Sequence, residues 1–232
     1  LCRSKYKLGS STMKLQIINL SRVPRLIFIV AFSIMLSACN QSLTMEAETD
    51  VPVPLMSKLP LNMAVYYNEQ FRNYIYEENS EDRPNWAIKS GASMVELFDQ
   101  VLPSMFQNID HVDSINANTN NSFDGLLAPE ISEMQFALPN ETKSDLYEVW
   151  VKYSVKLMDS KGELVADWPL TGYGKSSTEF LKSRDKGLQA AINSAFRDAG
   201  AKFALNFNRV PPIRQWLADN PDVCNSVHAD IC

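Results

Sequence analysis

The chain has 232 residues, of which 45% are hydrophobic and 10% aromatic, and a formal net charge of −5. This length and hydrophobic content suffice for one sizeable core and exclude a collagenous or wholly disordered chain. Six basic and no acidic residues precede Cys39. Removing those six from the 22 basic residues leaves 16 against 27 acidic side chains in residues 39–232, a net charge of −11. Such an acidic body lacks the basic face that grips nucleic acid, so no nucleic-acid partner is expected.

A short apolar run, Leu26–Leu36, is the first feature along the chain. It is too short to cross the ~30 Å hydrocarbon core of a bilayer as a helix, which takes about twenty residues. Basic residues before it and small residues after it are typical of the apolar centre of an export signal. The alternative is a buried helix that ends at a core cysteine. Met13 is the natural start, so residues 1–12 are interpreted as upstream sequence.

The four residues Leu36-Ser37-Ala38-Cys39 resemble the lipobox of bacterial lipoproteins at every position. The resemblance implies cleavage before Cys39, a diacylglyceryl thioether on its sulfur and an acyl group on the new amino terminus. Several acyl chains together anchor a protein durably, whereas one chain alone gives marginal binding. Asn40 follows Cys39, in place of the aspartate that retains lipoproteins at the inner membrane of enteric bacteria. The resemblance therefore implies an outer-membrane lipoprotein on the periplasmic side.

These signals divide the chain into four parts. Residues 1–38 are upstream residues and a cleaved signal peptide, and residues 39–60 are a lipidated flexible tether. The tether is polar and acidic and contains Pro52 and Pro54, a composition typical of linkers. Residues 61–217 form the folded domain, and residues 218–232 form a C-terminal tail.

Periodicity predicts the elements of the domain in chain order. The sequence from Leu61 to Glu78 is rich in Val, Tyr and Phe and predicts one or two strands. Residues 91–112 predict a single amphipathic helix with a kink at Pro103. Its apolar residues recur at three- and four-residue steps: Met94, Phe98, Val101, Met105 and Ile109.

Three strands and a second helix follow. Residues 125–139 predict the first strand, residues 146–159 the second, and residues 163–174 its partner after the turn sequence DSKG. The middle strand has one apolar face, made of Tyr147, Val149, Val151, Tyr153, Val155 and Leu157. The last helix carries an apolar stripe, made of Leu188, Ala191, Ile192, Ala195, Phe196, Ala199, Phe203 and Phe207.

This order of elements predicts an α+β fold. We expect a two-layer sandwich in which a largely antiparallel sheet of about four to five strands carries two amphipathic helices on one face. In element order, residues 61–208 resemble the small α/β modules of the curli-secretion channel lipoprotein and of the lipoprotein activator of penicillin-binding proteins. The phrases LNMAVYYNEQFRNY, EVWVKYSVKL and WPLTGYGK resemble uncharacterised proteobacterial envelope lipoproteins. Neither resemblance implies an activity.

Two cysteines, Cys224 and Cys232, lie in the C-terminal tail. In an oxidising compartment they are predicted to form a disulfide. Free or intermolecular thiols are one alternative, and a metal site with His228 is another. Two cysteines and one histidine within nine residues match no standard zinc spacing, so no metal is expected.

The other motifs indicate no catalysis. The sequence GYGKSS contains Gly-Lys-Ser, but Pro169 stands where a phosphate loop needs glycine, so no nucleotide is expected. His111 is predicted to end the first helix, where a protonated imidazole suits the helix dipole. Glu130 and Glu133, three residues apart on one strand, are predicted to face opposite sides of the sheet. No catalytic set, cofactor or enzyme activity is expected.

Exposed aromatic residues indicate a contact surface. Trp150 is predicted to occupy the polar face of its strand, between Glu148 and Lys152, and is assigned with Tyr173 and Trp216 to partner binding. Alternatively, the segment PPIRQWL folds back and covers Trp150. The resulting hypothesis is a non-enzymatic assembly or accessory subunit of an envelope secretion, export or surface-appendage complex. One alternative is a periplasmic domain that binds a lipid, glycan or peptidoglycan fragment in a pocket between sheet and helices, and another is a hydrolase.

Overall fold

The computed structural model describes residues 42–47, 54–79, 85–116, 123–178 and 183–226. Cys39, His228 and Cys232 lie outside the described residues, so the lipidation and tail-pairing hypotheses stay predictions. The strands are β1 (Ser42–Glu46), β2 (Leu59–Val65), β3 (Ile75–Glu78), β4 (Asn85–Lys89), β5 (Phe106–His111), β6 (Gly125–Ala137), β7 (Leu146–Asp159) and β8 (Leu164–Ser177). The helices are α1 (Glu69–Arg72), α2 (Gly91–Met105), α3 (Pro139–Thr142), α4 (Arg184–Asn206), α5 (Pro211–Ala218) and α6 (Pro221–Cys224), with a 3-10 turn at Phe207–Arg209.

The main sheet has five strands in the order β5-β2-β6-β7-β8. Antiparallel pairing joins β6 to β7 and β7 to β8, and these three strands have 13, 14 and 14 residues. The shorter β2 pairs in parallel with both β5 and β6, and α2 supplies the crossover that parallel neighbours need. The predicted α+β fold is confirmed, with a mixed sheet that is antiparallel over most of its length.

The core lies between the sheet and helices α2 and α4. The predicted apolar face of β7 is buried, and so is the predicted stripe of the last helix. Both helices reach the same face, since the ring of Tyr153 on β7 lies 5.7 Å from that of Phe98 on α2, and Phe98 lies 5.5 Å from Phe203 on α4. This placement confirms the two-layer arrangement with helices on one face.

Helix α4 approaches β8 closely at two glycines. A Cβ atom at Gly174 would overlap the carbonyl oxygen of Ala191 and the amide nitrogen of Ala195. A Cβ atom at Gly172 would overlap the carbonyl oxygen of Ala195. The glycines of the GYGKSS segment therefore allow a helix to pack directly on a strand, which the sequence did not indicate.

A second, three-stranded sheet has the order β1-β4-β3. Strand β1 pairs in parallel with β4, so that Ser42 lies opposite Asn85 and Glu46 opposite Lys89. Ala47, directly after β1, is buried, and its carbonyl oxygen accepts a hydrogen bond from the hydroxyl of Ser93. Part of the segment interpreted as a tether is therefore a strand held by the domain.

The first long helix is shorter than predicted. It ends at Met105, and Phe106 has the extended dihedrals φ −122° and ψ 156°. Residues 106–111 form β5, which pairs in parallel with β2, and the ring of Phe106 packs 5.2 Å from that of Phe207. The helical prediction for residues 106–112 is wrong. The three-residue step from Phe106 to Ile109 fits a helix and not a strand, and pairing with β2 overrides this local pattern.

Within the described ranges, no helix combines the length and the apolar character needed to span a bilayer.

Candidate functional site

The main sheet turns one face away from α2 and α4, and we call this its outer face. Its residues follow from the strand register: Glu130, Glu133 and Gln135 on β6, Glu148, Trp150, Lys152, Ser154 and Lys156 on β7, and Asp167, Thr171, Tyr173 and Lys175 on β8. At one end this face is covered, because Val112, Ile115 and Phe123 pack on a small cluster that includes Met158. The opposite end carries the row Gln135–Trp150–Tyr173.

A β-bulge in β6 sets which side chains reach the outer face. Ser132 has no partner on β7, since Ile131 pairs with Tyr153 and Glu133 with Lys152. The extra residue shifts the alternation by one, so Glu130 and Glu133 lie on the same face. The prediction that they face opposite sides is wrong, because the bulge at Ser132 interrupts the regular alternation of side chains along β6.

The charged side chains of the outer face bond to neighbours within it. Both carboxylate oxygens of Glu130 lie 2.9 Å from Nζ of Lys156, and this hydrogen bond raises the pKa of Lys156. The carboxylate of Glu133 accepts a hydrogen bond of 2.6 Å from Nε2 of Gln135. Glu130 and Glu133 thus bond to different partners, in an arrangement typical of a solvated sheet face and not of a paired-carboxylate site.

Trp150 and Tyr173 form an aromatic pair across β7 and β8. Their ring centroids are 5.3 Å apart and their planes are inclined by 38°. Trp150 keeps 37% of its surface exposed. The hydroxyl of Tyr173 donates a hydrogen bond of 2.6 Å to Glu148, which raises the pKa of Tyr173 and fixes its ring. Rings held on a regular sheet lose little conformational entropy on binding, which suits a contact surface.

The same edge of the sheet is bonded to helix α4. The backbone N–H of Tyr173 donates a hydrogen bond of 2.8 Å to the carboxylate of Asp198. Nζ of Lys202 donates to the carbonyl oxygen of Thr171 at 3.1 Å and to Asp198 at 2.7 Å. These bonds hold β8, and with it the aromatic pair, in a fixed position.

Of the three aromatic residues assigned to partner binding, the structure brings together two. Trp216 lies on α5, half-buried against the main core, and Ile213 and Leu217 of the same helix are fully buried there. Helix α5 therefore packs on the core and does not cover Trp150. Trp216 lies apart from the aromatic pair.

A separate polar cluster joins the segment directly after β2 to α2 and β5. The buried hydroxyl of Tyr67 donates a hydrogen bond of 2.7 Å to Asp99, and Nε2 of His111 lies 3.5 Å from the same carboxylate oxygen. Burial, and then the bond to Asp99, raise the pKa of Tyr67 far above its usual range. His111 ends strand β5 and not a helix, so its predicted role at a helix dipole is wrong. A phenol held protonated is suited to a structural hydrogen bond and not to nucleophilic attack.

In an alkaline titration, the hydroxyl groups of two tyrosines, Tyr67 and Tyr153, should lose their protons at higher pH than those of the exposed tyrosines. Burial raises the pKa of Tyr153 well above its ordinary value, as for Tyr67. Above a pH of about 10, the unfolded chain loses these protons while the folded chain retains them, so the free energy of unfolding falls as pH rises. We expect phenolate absorbance to show a final phase of two phenols that coincides with unfolding by circular dichroism. Tyr67→Phe and Tyr153→Phe should each remove one tyrosine from that final phase. If Tyr67 and Tyr153 of the parent chain titrate together with the exposed tyrosines, the assignment is contradicted.

The space between sheet and helices is filled by side chains. Tyr153, Phe196, Phe203 and Phe207 are among the largest fully buried residues there. A pocket of about 240 Å³ lies elsewhere, between α1, β3 and the start of α2, and includes Arg72 and Lys89 in its lining. A larger, more open pocket of about 630 Å³ lies between residues 54–58 and α2. The space between sheet and helices itself thus offers little room for the ligand pocket of the alternative hypothesis.

The described residues include one cysteine, Cys224, as a candidate for metal binding or disulfide formation. Among them, no group of three or more His, Cys, Asp or Glu side chains is placed to hold a metal ion. Cys224 is disulfide-bonded, and its partner lies outside the described ranges. Its pairing with Cys232 stays a prediction.

No family model matches the sequence, and no curated protein matches it. Similar solved structures include a Xanthomonas campestris protein of family DUF330, 11% identical, with 70% of this chain and 92% of that chain covered and a TM-score of 0.49. A provisionally assigned lipoprotein from Caulobacter crescentus is 14% identical over 56% of this chain and 85% of that chain, with a TM-score of 0.36. The PelC dodecamer from Paraburkholderia phytofirmans is 15% identical over 63% and 90%, also with a TM-score of 0.36.

Proposed function

We propose that the chain is a non-enzymatic lipoprotein of the outer membrane, held on the periplasmic side by acyl chains on Cys39. Its α+β domain docks onto a protein partner as an assembly or accessory subunit of an envelope secretion, export or surface-appendage complex. The observation that carries the proposal is the pair Trp150–Tyr173 on the sheet face turned away from both long helices, in which Trp150 is exposed and Tyr173 half-buried.

The chemistry of the outer face supports a protein partner. Lys152, Lys175 and Glu133 surround the aromatic pair with charges of both signs, a pattern typical of an apolar contact with a polar rim. A flat face also suits a protein better than a small molecule, which generally binds in a concave pocket. The filled space between sheet and helices favours this interpretation over the ligand-binding alternative.

Site-specific photocrosslinking in intact cells tests the docking surface. A photoreactive residue at Lys152, next to Trp150, should give one discrete adduct of defined mass with an envelope protein. The same residue at Leu205, which is 66% exposed on α4, should not. Trp150→Ala should then reduce the Lys152 adduct about 30-fold, since loss of an aromatic anchor typically costs about 2 kcal/mol.

Leu205→Ala is the matched control, because it also removes an exposed apolar side chain, on the helix side of the domain. It should leave the Lys152 adduct unchanged. Equal adducts from Trp150→Ala and the parent chain would show that the aromatic pair is not the docking surface. A purified domain that carries bound lipid or glycan and gives no adduct would favour the ligand-binding alternative.

A further inference from the structure

We propose that one end of the domain rests on the surface of the membrane that holds its acyl chains. We call this the anchor end and define it by Ser42, Asn85 and helix α3. The inference rests on the proposed lipidation of Cys39 and goes beyond it, because it specifies which part of the domain faces the lipid.

The first step is the length of chain between anchor and fold. Strand β1 begins at Ser42, three residues after Cys39. A fully extended chain spans at most ~3.6 Å per residue, so Ser42 lies within about 11 Å of the acylated residue. A linker this short keeps Ser42 at the level of the lipid headgroups.

The second step is the direction of the small sheet. Ser42 pairs with Asn85 at the start of β4. The ring of Trp86 packs 5.1 Å from that of Phe136, while the Ser90 hydroxyl lies 3.9 Å from the sulfur of Met134. Strand β4 therefore runs opposite to β6, and Asn85 lies toward the end of the domain where β6 finishes.

Helix α3 stands at that same end. It follows β6 after Leu138, and none of its four residues is buried. Asn140, Glu141 and Thr142 are exposed and polar, so this end suits contact with hydrated headgroups and not insertion into hydrocarbon. The acyl chains supply the binding energy, and the short linker fixes which surface they bring to the lipid.

The opposite end of the domain is the turn between β7 and β8. Strand β7 starts beside the anchor end, with Glu148 opposite Ala137, and runs 14 residues to Asp159. At ~3.3 Å per residue, the turn at Lys161 lies roughly 40 Å from the anchor end. Trp150, four residues into β7, lies only about 13 Å from that end on the same scale. The partner of the aromatic pair must then reach close to the bilayer, which favours a protein of the same membrane.

Quenching in vesicles tests this orientation. The processed, acylated full chain is reconstituted with lipids that carry a nitroxide on the headgroup, a short-range quencher. A fluorophore at N140C on α3 should be quenched several-fold more than the same fluorophore at K161C. The two positions are a matched pair, since both are exposed polar sites, one on α3 and one in the turn between β7 and β8.

A spacer separates this inference from the anchor itself. Insertion of about twelve Gly and Ser residues between Gln41 and Ser42 adds roughly 20 Å of flexible reach. It should reduce quenching at N140C while the mass of the N-terminal peptide still shows the acyl chains. Equal quenching at both positions, or no effect of the spacer, in an acylated chain would overturn the orientation alone. A chain without acyl groups would overturn the proposed anchor and the orientation with it.

Discussion

Gly174→Ala is expected to destabilise the domain severely, with the unfolding midpoint falling by more than for any exposed substitution. The new Cβ atom would meet backbone atoms of Ala191 and Ala195 on α4, and backbone cannot rotate away as a flexible side chain can. Overpacking a core typically costs about 1–3 kcal/mol, and we expect at least the upper value because helix and strand must separate. Whole domains are stable by only about 5–15 kcal/mol. Urea unfolding followed by circular dichroism measures the change.

Gly162→Ala is the control for this substitution. Gly162 has φ +80°, and no atom lies within 4 Å of the position that an added methyl group would take. Alanine would therefore strain only the local backbone, at about 1 kcal/mol. The difference between the two variants isolates the close approach of α4 to β8. Equal losses at both positions would show that the glycine contact is not a tight one.

Cys39→Ala is expected to abolish acylation, so that the chain stays unprocessed or carries no lipid. The thiol is the nucleophile that the diacylglyceryl group would alkylate, and alanine has no substitute for it. The loss of the acyl mass should be complete. Mass spectrometry of the N-terminal peptide and membrane fractionation give the two readouts.

Cys224→Ala provides the matched cysteine control. Cys224 is disulfide-bonded and lies far from the lipobox in the sequence. Its loss should therefore lower the stability of the domain and leave acylation of Cys39 intact. Unchanged acylation in Cys39→Ala would contradict the lipoprotein assignment. Loss of attachment in Cys224→Ala, with a folded domain, would contradict it equally.

The sequence predicted best those elements whose pattern is long and regular. The buried face of β7 recurs at every second residue from Tyr147 to Leu157, and the stripe of α4 recurs at helical steps from Leu188 to Phe203, so each pattern indicates one type of element. Strands β1, β4 and β5 are short, with five or six residues each. Their existence depends on partners distant in sequence, and local pattern does not contain that information.

The candidate site was predictable in part for the same reason. The polar neighbours of Trp150 within β7 indicated its exposure directly. Its contact with Tyr173 depends on the register of β7 on β8, which is a tertiary property. The bulge at Ser132 shows the limit of alternation, because a single extra residue reversed the predicted placement of Glu133 relative to Glu130.

The hydrogen bonds between α4 and the backbone of β8 affect whether two copies of the domain can pair through this edge strand. The proposed attachment through Cys39 would confine copies of the domain to two dimensions, where exposed sheet edges meet often and can pair strand to strand. Along β8, the outward N–H of Tyr173 and the carbonyl oxygen of Thr171 already bond to α4. Pro169, at the next outward position, has no N–H to offer. These three positions of the β8 edge are thereby closed to strand pairing with another copy, even where anchoring would hold copies side by side.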